Sequence, residues 1–252
     1  IAIGNAIGSN ITNIALIVGA TALIIPIAAR PAIVRREIPM LLAVSLFAFA
    51  LMADVELSRW EGILFIITQF SLLGWTFWIS RREKQTIFDE SELDEHPMTV
   101  GRSLFWLVAG LTLLLISSRL LVWSAVGIAT AAGVPPLVIG LTIIALGTSL
   151  PELAACVASC RKGHHDIAIG NIIGSNTFNL MSVLGIAAII KPNPFDPIVL
   201  YRDLPLMLGL SVLLGIFVFS RKGDGLISRG KGGILLAIYI CYQAWLYLSM
   251  AT

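Results

Sequence analysis

One stretch of this chain occurs twice, and the residues the copies share are ones an apolar surround rejects. Residues 1–19 read IAIGNAIGSNITNIALIVG and residues 167–185 read IAIGNIIGSNTFNLMSVLG, identical at 11 of 19 positions with an offset of 166 (167 − 1). The same offset, without a gap, pairs Pro26 with Pro192, Pro31 with Pro197, Pro39 with Pro205, Arg36-Glu37 with Arg202-Asp203, and Ser45 with Ser211. A series of that length marks an internal duplication. What was duplicated includes Gly, Ser and Asn at positions flanked on both sides by aliphatic residues.

The surround is a bilayer. Hydrophobic residues make up 57% of the chain and charged residues 13%, with a mean hydropathy of +0.91, whereas soluble domains carry about 25% charge. A core of 252 residues cannot absorb that deficit. The net charge is only +2, and no basic run interleaves with aromatics, so nucleic-acid binding has no support. Crossing ~30 Å of hydrocarbon takes about 20 apolar residues. Eight such spans are predicted, at roughly 3–28, 37–53, 60–80, 101–128, 136–160, 167–190, 204–220 and 232–250. The expected class is an all-α polytopic membrane protein whose partner is the lipid bilayer.

The second copy then holds five spans, from 101 to 250, and its counterpart should begin about 65 residues before Ile1 (101 − 166 = −65). The expectation is two five-helix halves with eight of ten helices present. Residues 1–80 form a first half lacking its first two helices, 81–100 a cytoplasmic connecting loop, and 101–252 a complete second half. Ile1 is not an initiator methionine and the chain opens inside the repeated motif, which also reads as a truncated N-terminus. An odd number of helices per half forces opposite orientations, the inverted repeat of many secondary transporters. Charge bias agrees. The loops near 29–36, 81–102, 161–166 and 221–231 hold thirteen Lys and Arg, and the opposite loops hold three (Arg59, Lys191 and Arg202). By the positive-inside rule the first set is cytoplasmic and the C-terminus faces outward.

Fourteen of the fifteen acidic residues are expected in loops or at span ends, and Glu152 alone deep inside a span, in LTIIALGTSLPELAACVAS. An ionisable group near the bilayer centre costs about 2.5–3.5 kcal/mol on insertion scales, so its default reading is an ion or proton site. Thr148 and Glu152 are i,i+4 and share a helix face, with Ser149 one residue on. Pro151 lacks an N–H and clashes with the carbonyl of Gly147, so a kink is predicted there, freeing carbonyls near Ala145 and Gly147. Hydroxyls, carbonyls and one carboxylate form an all-oxygen set suited to hard cations such as Na⁺ and Ca²⁺. Ser175 and Asn179 in one copy of the repeat, and Ser9 and Asn13 in the other, are i,i+4 pairs that can supply a second wall. Gly170 and Gly174, like Gly4 and Gly8, allow close helix approach. Interhelical hydrogen bonding by small polar residues is the alternative reading, strongest for Asn5 and Asn171.

GTSLPE at 147–152 followed by GNIIGSNxxN at 170–179 closely resembles the second alpha-repeat of the sodium/calcium exchanger family, in the cation/calcium antiporter superfamily, and looks nearest its bacterial YrbG-type branch. Gly4-Asn5 through Asn13 matches the second element of the first repeat. The resemblance implies a ten-helix antiporter of a bacterial inner membrane with four central cation sites, in which Na⁺ entry drives Ca²⁺ out; both ions are substrates, no cofactor is needed and no obligate protein partner is evident. By position, Glu152 would coordinate Ca²⁺. Thr148, Ser149, the Ala145 carbonyl, Ser175 and Ser9 would join the flanking Na⁺ sites, and Asn13 and Asn179 the central ring. The first-repeat mate of Glu152 falls before Ile1 (152 − 166 = −14), so this stretch alone is not expected to transport. Some relatives have Asp at the position of Asn179, tied to K⁺ co-transport in the potassium-dependent branch. The amide favours K⁺-independent exchange.

Ca²⁺/H⁺ exchange on the same scaffold is the nearest rival. An intramembrane enzyme fails for want of a nucleophile–base pair, and a passive scaffold needs neither the duplicated polar residues nor Glu152. Of the lesser features, Cys156, Cys160 and Cys241 read as small buried hydrophobes, and His164-His165 as a capping turn. The acidic residues at 89–95 lack EF-hand spacing and read as a solvated connector. Arg119 sits within a predicted span, where it can snorkel or pair with a loop acid.

Overall fold

The computed structural model describes residues 2–82, 99–219 and 225–251. The acidic cluster at 89–95 and most of the predicted 81–100 connector lie outside the described residues. Within them the chain is helical: α1 (Ala2–Ile24), α2 (Pro31–Leu51), α3 (Arg59–Arg82), α4 (Val100–Ala131), a bent pair α5 (Gly140–Thr148) and α6 (Leu150–Arg161), α7 (His165–Ile190), α8 (Val199–Val218) and α9 (Arg229–Ala251). Among the described residues six helices are long and apolar enough to cross a membrane, and the bent pair adds a seventh if its two helices are taken as one span. The eight predicted spans all fall on helices, of which six, or seven with the bent pair, pass as membrane-crossing by length and hydropathy. The predicted 37–53 span is the 21-residue α2, and every 18-residue stretch of it contains Arg35, Arg36 and Glu37, so it is not apolar along its length. The start predicted at 204 moves back to Val199, which puts Asp203 inside α8 rather than in a loop. Asp203 is fully buried there, bound by Arg202 and by the Tyr242 hydroxyl at 2.9 Å.

Short strands tie the two repeats together. β1 (Ile27–Ala29), after α1, pairs antiparallel with β4 (Gly225–Ile227), before α9, in the register Ile27↔Ile227. β2 (Glu56–Leu57) pairs with β3 (Asn193–Pro194). Each ribbon joins a loop of one repeat to a loop of the other. Arg30 and Asp166 form an ion pair of 3.0 Å, which adds the 161–166 turn to the face that carries β1 and β4.

The helices cross over in the same way. α1 packs along α9, and α7 packs along α3. In hydrocarbon, helices gain no hydrophobic free energy by associating, so close backbone packing through small residues takes over. A Cβ on Gly19 would lie 3.0 Å from the carbonyl oxygen of Gly232, and one on Gly62 would lie 2.8 Å from that of Gly185. The two contacts are copies of each other, since 185 − 19 = 166 and 232 − 62 = 170. The first repeat is thus four residues shorter than the second between these points. The centre is filled by the buried isoleucine face of α1 (Ile7, Ile11, Ile14, Ile17) against Ile172, Ile173 and Leu180 of α7. By contrast α4 is exposed along most of its length, Arg119 included, with Ser118 and Ala129 buried.

Candidate cation site

Pro151 does what its chemistry dictates. The helix stops at Thr148, turns at Ser149 and restarts at Leu150 with a bend of 44°. Ser149 is buried in that turn; its N–H reaches the Leu146 carbonyl and its own carbonyl accepts from Leu153 N–H at 3.0 Å. The freed carbonyls are answered by hydroxyls rather than left bare. Thr148 Oγ1 shares its one proton between the Ile144 oxygen (2.9 Å) and the Ala145 oxygen (3.2 Å), and Ser118 Oγ of α4 donates to the Gly147 oxygen. The restart also places Glu152 in the first turn of α6, where unpaired N–H groups and the positive end of the helix dipole favour a carboxylate.

The repeated motif meets this break from two sides. Gly8 makes the first approach possible: a Cβ there would lie 2.9 Å from Leu141 Cα and 3.0 Å from Ala145 Cβ, so α1 and α5 nearly touch. That brings Ser9 Oγ to 3.1 Å from Thr148 Oγ1, which also lies 3.3 Å from Asn5 Oδ1. From α7, Ser175 Oγ donates to Glu152 Oε1 at 3.0 Å and accepts from Asn13 Nδ2 at 3.2 Å. Glu152, Ser175 and Asn13 are therefore one continuous hydrogen-bonded chain, linking α6, α7 and α1. Gly170 and Gly174 do not act as Gly8 does: nothing lies within 4 Å of a Cβ at either. The helix that presses on Gly8 is α5.

Four asparagines cross-brace the two repeats. Asn13 Nδ2 donates to Asn176 Oδ1 (2.9 Å), and Asn179 Nδ2 donates to Asn10 Oδ1 (3.1 Å). With an offset of 166 these are one contact made twice, since Asn10 matches Asn176 and Asn13 matches Asn179. Asn10 Nδ2 also reaches the Asn176 backbone oxygen at 3.1 Å. Asn10 and Asn176 are fully buried, and sequence reading passed over both. The signal was in the motif, as each copy has two asparagines after its serine, but spacing alone does not say that the pairing runs between copies. Asn13 and Asn179 each belong to a π-helical turn, Thr12–Val18 and Asn179–Val183, a departure common where helices carry function.

All eight residues predicted for the site lie on these elements. Glu152, Ser175 and Asn13 form one group, Ser9, Thr148 and the Ala145 carbonyl another, and Ser149 occupies the turn between α5 and α6. Asn179 joins through Asn10. Within the site two acceptors, Glu152 Oε2 and Asn13 Oδ1, are buried with no donor among the described residues, and the neighbouring Asn176 Nδ2 is buried with no acceptor; Gln69 Oε1 is a further unpaired acceptor away from the site. A carboxylate oxygen and an amide oxygen left bare, flanked by hydroxyls, are what a dehydrated hard cation binds and what a protein without a ligand avoids. Cys156 and Cys160 are buried as expected, whereas Cys241 is exposed.

Comparison with known proteins gives the scaffold its place. The family described as sodium/calcium exchanger protein matches residues 1–78 and 102–248, nearly the whole chain. The chain belongs to the sodium/calcium exchanger family. Within this exchanger family, CaxA of Alkalimonas amylolytica is 44% identical over 98% of this chain and 79% of its own length. The inner membrane protein YrbG of Escherichia coli K12 is 37% identical over 98% and 77%. A solved structure of the sodium-calcium exchanger NCX_Mj, soaked with 2.5 mM Na⁺ and 10 mM Sr²⁺, superposes with a TM-score of 0.76 at 30% identity, covering 96% of this chain and 76% of that one. The protein is a multi-pass membrane protein of that fold.

Proposed function

We propose that the protein is a secondary active antiporter that exchanges Na⁺ for Ca²⁺ by alternating access, without K⁺, and that it is a transporter rather than an enzyme. One observation carries this reading: Glu152 Oε2 is buried without a donor at a helix break inside a span, among oxygen ligands contributed by both repeats. Bound Ca²⁺ or Na⁺ would take the position that oxygen leaves open. Competition of the two ions for one carboxylate couples their fluxes. Independence from K⁺ is supported by Asn179, an amide that cannot ionise and whose Nδ2 is committed to Asn10.

The eight ligands, the division into halves at 1–80 and 101–252, and a bacterial inner-membrane location belong to the same reading. The loops at 29–36, 161–166 and 221–231 are assigned to the cytoplasm with 81–102, and the C-terminus to the outer side. The β1–β4 ribbon and the Arg30–Asp166 pair support grouping the first three on one face.

The test is Ca²⁺ tracer uptake by the intact protein in vesicles loaded with Na⁺ at fixed pH. Uptake is expected to follow the Na⁺ gradient and to vanish in Glu152→Gln. Near-normal uptake in that variant would refute the role given to Glu152. Uptake that follows a pH gradient and ignores Na⁺ would give the site to Ca²⁺/H⁺ exchange instead.

A further inference from the structure

Between α2 and α3 lies a cavity of about 610 Å³ that none of the site residues touches. Its walls are apolar, including Pro39, Met40, Phe47, Leu72 and Trp75, and its mouth carries Arg35 and Arg36. From Arg35 to Phe47 is twelve residues (47 − 35), or ~18 Å of helix. That is close to one leaflet's half of a ~30 Å hydrocarbon layer. With Arg35 and Arg36 at a bilayer surface, a groove of that length would reach about mid-membrane.

The second repeat shows how the same place looks when the chain fills it. Tyr242 stands where the first repeat has Leu72 (242 − 170), and its hydroxyl binds Asp203 at 2.9 Å. Arg202, the counterpart of Arg36, is folded inward over the Trp245 ring at 5.9 Å and is 8% exposed, against 30% for Arg36. Tyr201 replaces Arg35. In the first repeat Arg36 binds Glu37 at 2.9 Å, while Arg35 is exposed and no carboxylate among the described residues pairs with it. Arg81, two residues beyond the groove-lining Ile79, adds a further exposed positive charge at that end of α3.

We propose that this groove binds an anionic phospholipid of the surrounding leaflet, with the headgroup on Arg35 and Arg36 and an acyl chain along Met40, Phe47, Leu72 and Trp75. The occupant has to be an amphiphile whose anionic end stands at the bilayer surface and whose apolar part reaches inward for about one leaflet. Basic recesses between transmembrane helices are recognised by anionic headgroups for this reason. The site is separate from the cation site and does not depend on which ions are exchanged.

The test is native mass spectrometry of the protein released from nanodiscs of phosphatidylglycerol and phosphatidylethanolamine, reading which lipid stays bound. Wild type is expected to retain phosphatidylglycerol preferentially. Arg35→Ala should lower that retention about fivefold, the effect of one arginine at a membrane surface. Ala43→Trp, which plugs the groove and leaves its charges, should abolish retention. Arg102→Ala, an exposed arginine on α4, should change nothing, and a drop equal to that of Arg35→Ala would mean diffuse attraction and overturn the proposal. Retention unaffected by both groove variants would overturn it as well. So would a lipid-free dimer that Ala43→Trp converts to monomer, which would give the groove to a second copy of the chain.

Discussion

At the scale of single residues, the site separates serines that serve their own helix from those that reach another. Ser211 Oγ returns its hydrogen bond to the Met207 carbonyl four residues back, so removing it strands little. Ser175 Oγ holds Glu152 Oε1 and Asn13 Nδ2 at once. Ser175→Ala would leave Glu152 Oε1 without its donor, while Asn13 Nδ2 keeps Asn176 Oδ1; one buried group left unpaired is worth about 1–3 kcal/mol. That corresponds to a loss of roughly 5- to 150-fold in whatever equilibrium the pair supports. Ca²⁺ uptake by Ser175→Ala is expected to fall into that range while Ser211→Ala stays near wild type; equal rates for the two would show that the Glu152–Ser175–Asn13 chain has no part in binding.

At the scale of helices, Gly8 sets the geometry of the site. Its missing Cβ lets α1 approach α5 until Ser9 meets Thr148. A methyl group in that space faces backbone atoms of Leu141, which cannot rotate away as a side chain would. Gly8→Ala should cost about 1–3 kcal/mol by overpacking. Its thermal midpoint in detergent should drop, and the stabilisation that Ca²⁺ gives should shrink with it. Gly209→Ala, where a Cβ meets open space, should leave both unchanged or raise the midpoint slightly; equal behaviour of the two variants would remove Gly8 from the account. These helices also show what the sequence made legible. The apolar runs located every helix, and a proline inside one of them located its break, because both act through neighbours in sequence. The Ser118 hydroxyl on the Gly147 carbonyl and the contact of Val122 with Gly147 were not legible. They depend on where α4 crosses α5, 29 residues on in the case of Ser118, and no local spacing encodes a crossing point. The same holds for Asn10 and Asn176, whose partners lie in the other repeat. The burial of Asp203 was missed because its partner Tyr242 is on α9, so an acid beside an arginine read as a loop.

At the scale of the whole molecule, the duplication is carried by contacts that occur in pairs. Gly19 against Gly232 joins α1 to α9, and Gly185 against Gly62 joins α7 to α3. A Cβ on any of the four glycines would lie within 3.0 Å of its partner's carbonyl oxygen, so neither contact has room for a methyl group. The pairs sit on different helices and share no side chain, and sites so separated add in free energy to within about 0.3–0.5 kcal/mol. Gly19→Ala and Gly185→Ala should therefore destabilise the protein by similar amounts, each about 1–3 kcal/mol, and the double variant by their sum. Unfolding midpoints in detergent with added denaturant measure all three. If Gly185→Ala were silent while Gly19→Ala was costly, the repeats would share a sequence motif without sharing its mechanical role, and the pseudo-two-fold description of the packing would fail. Equal, additive costs would mean that each half is held by the other, through the same close approach of backbone to backbone on either side of the asparagines.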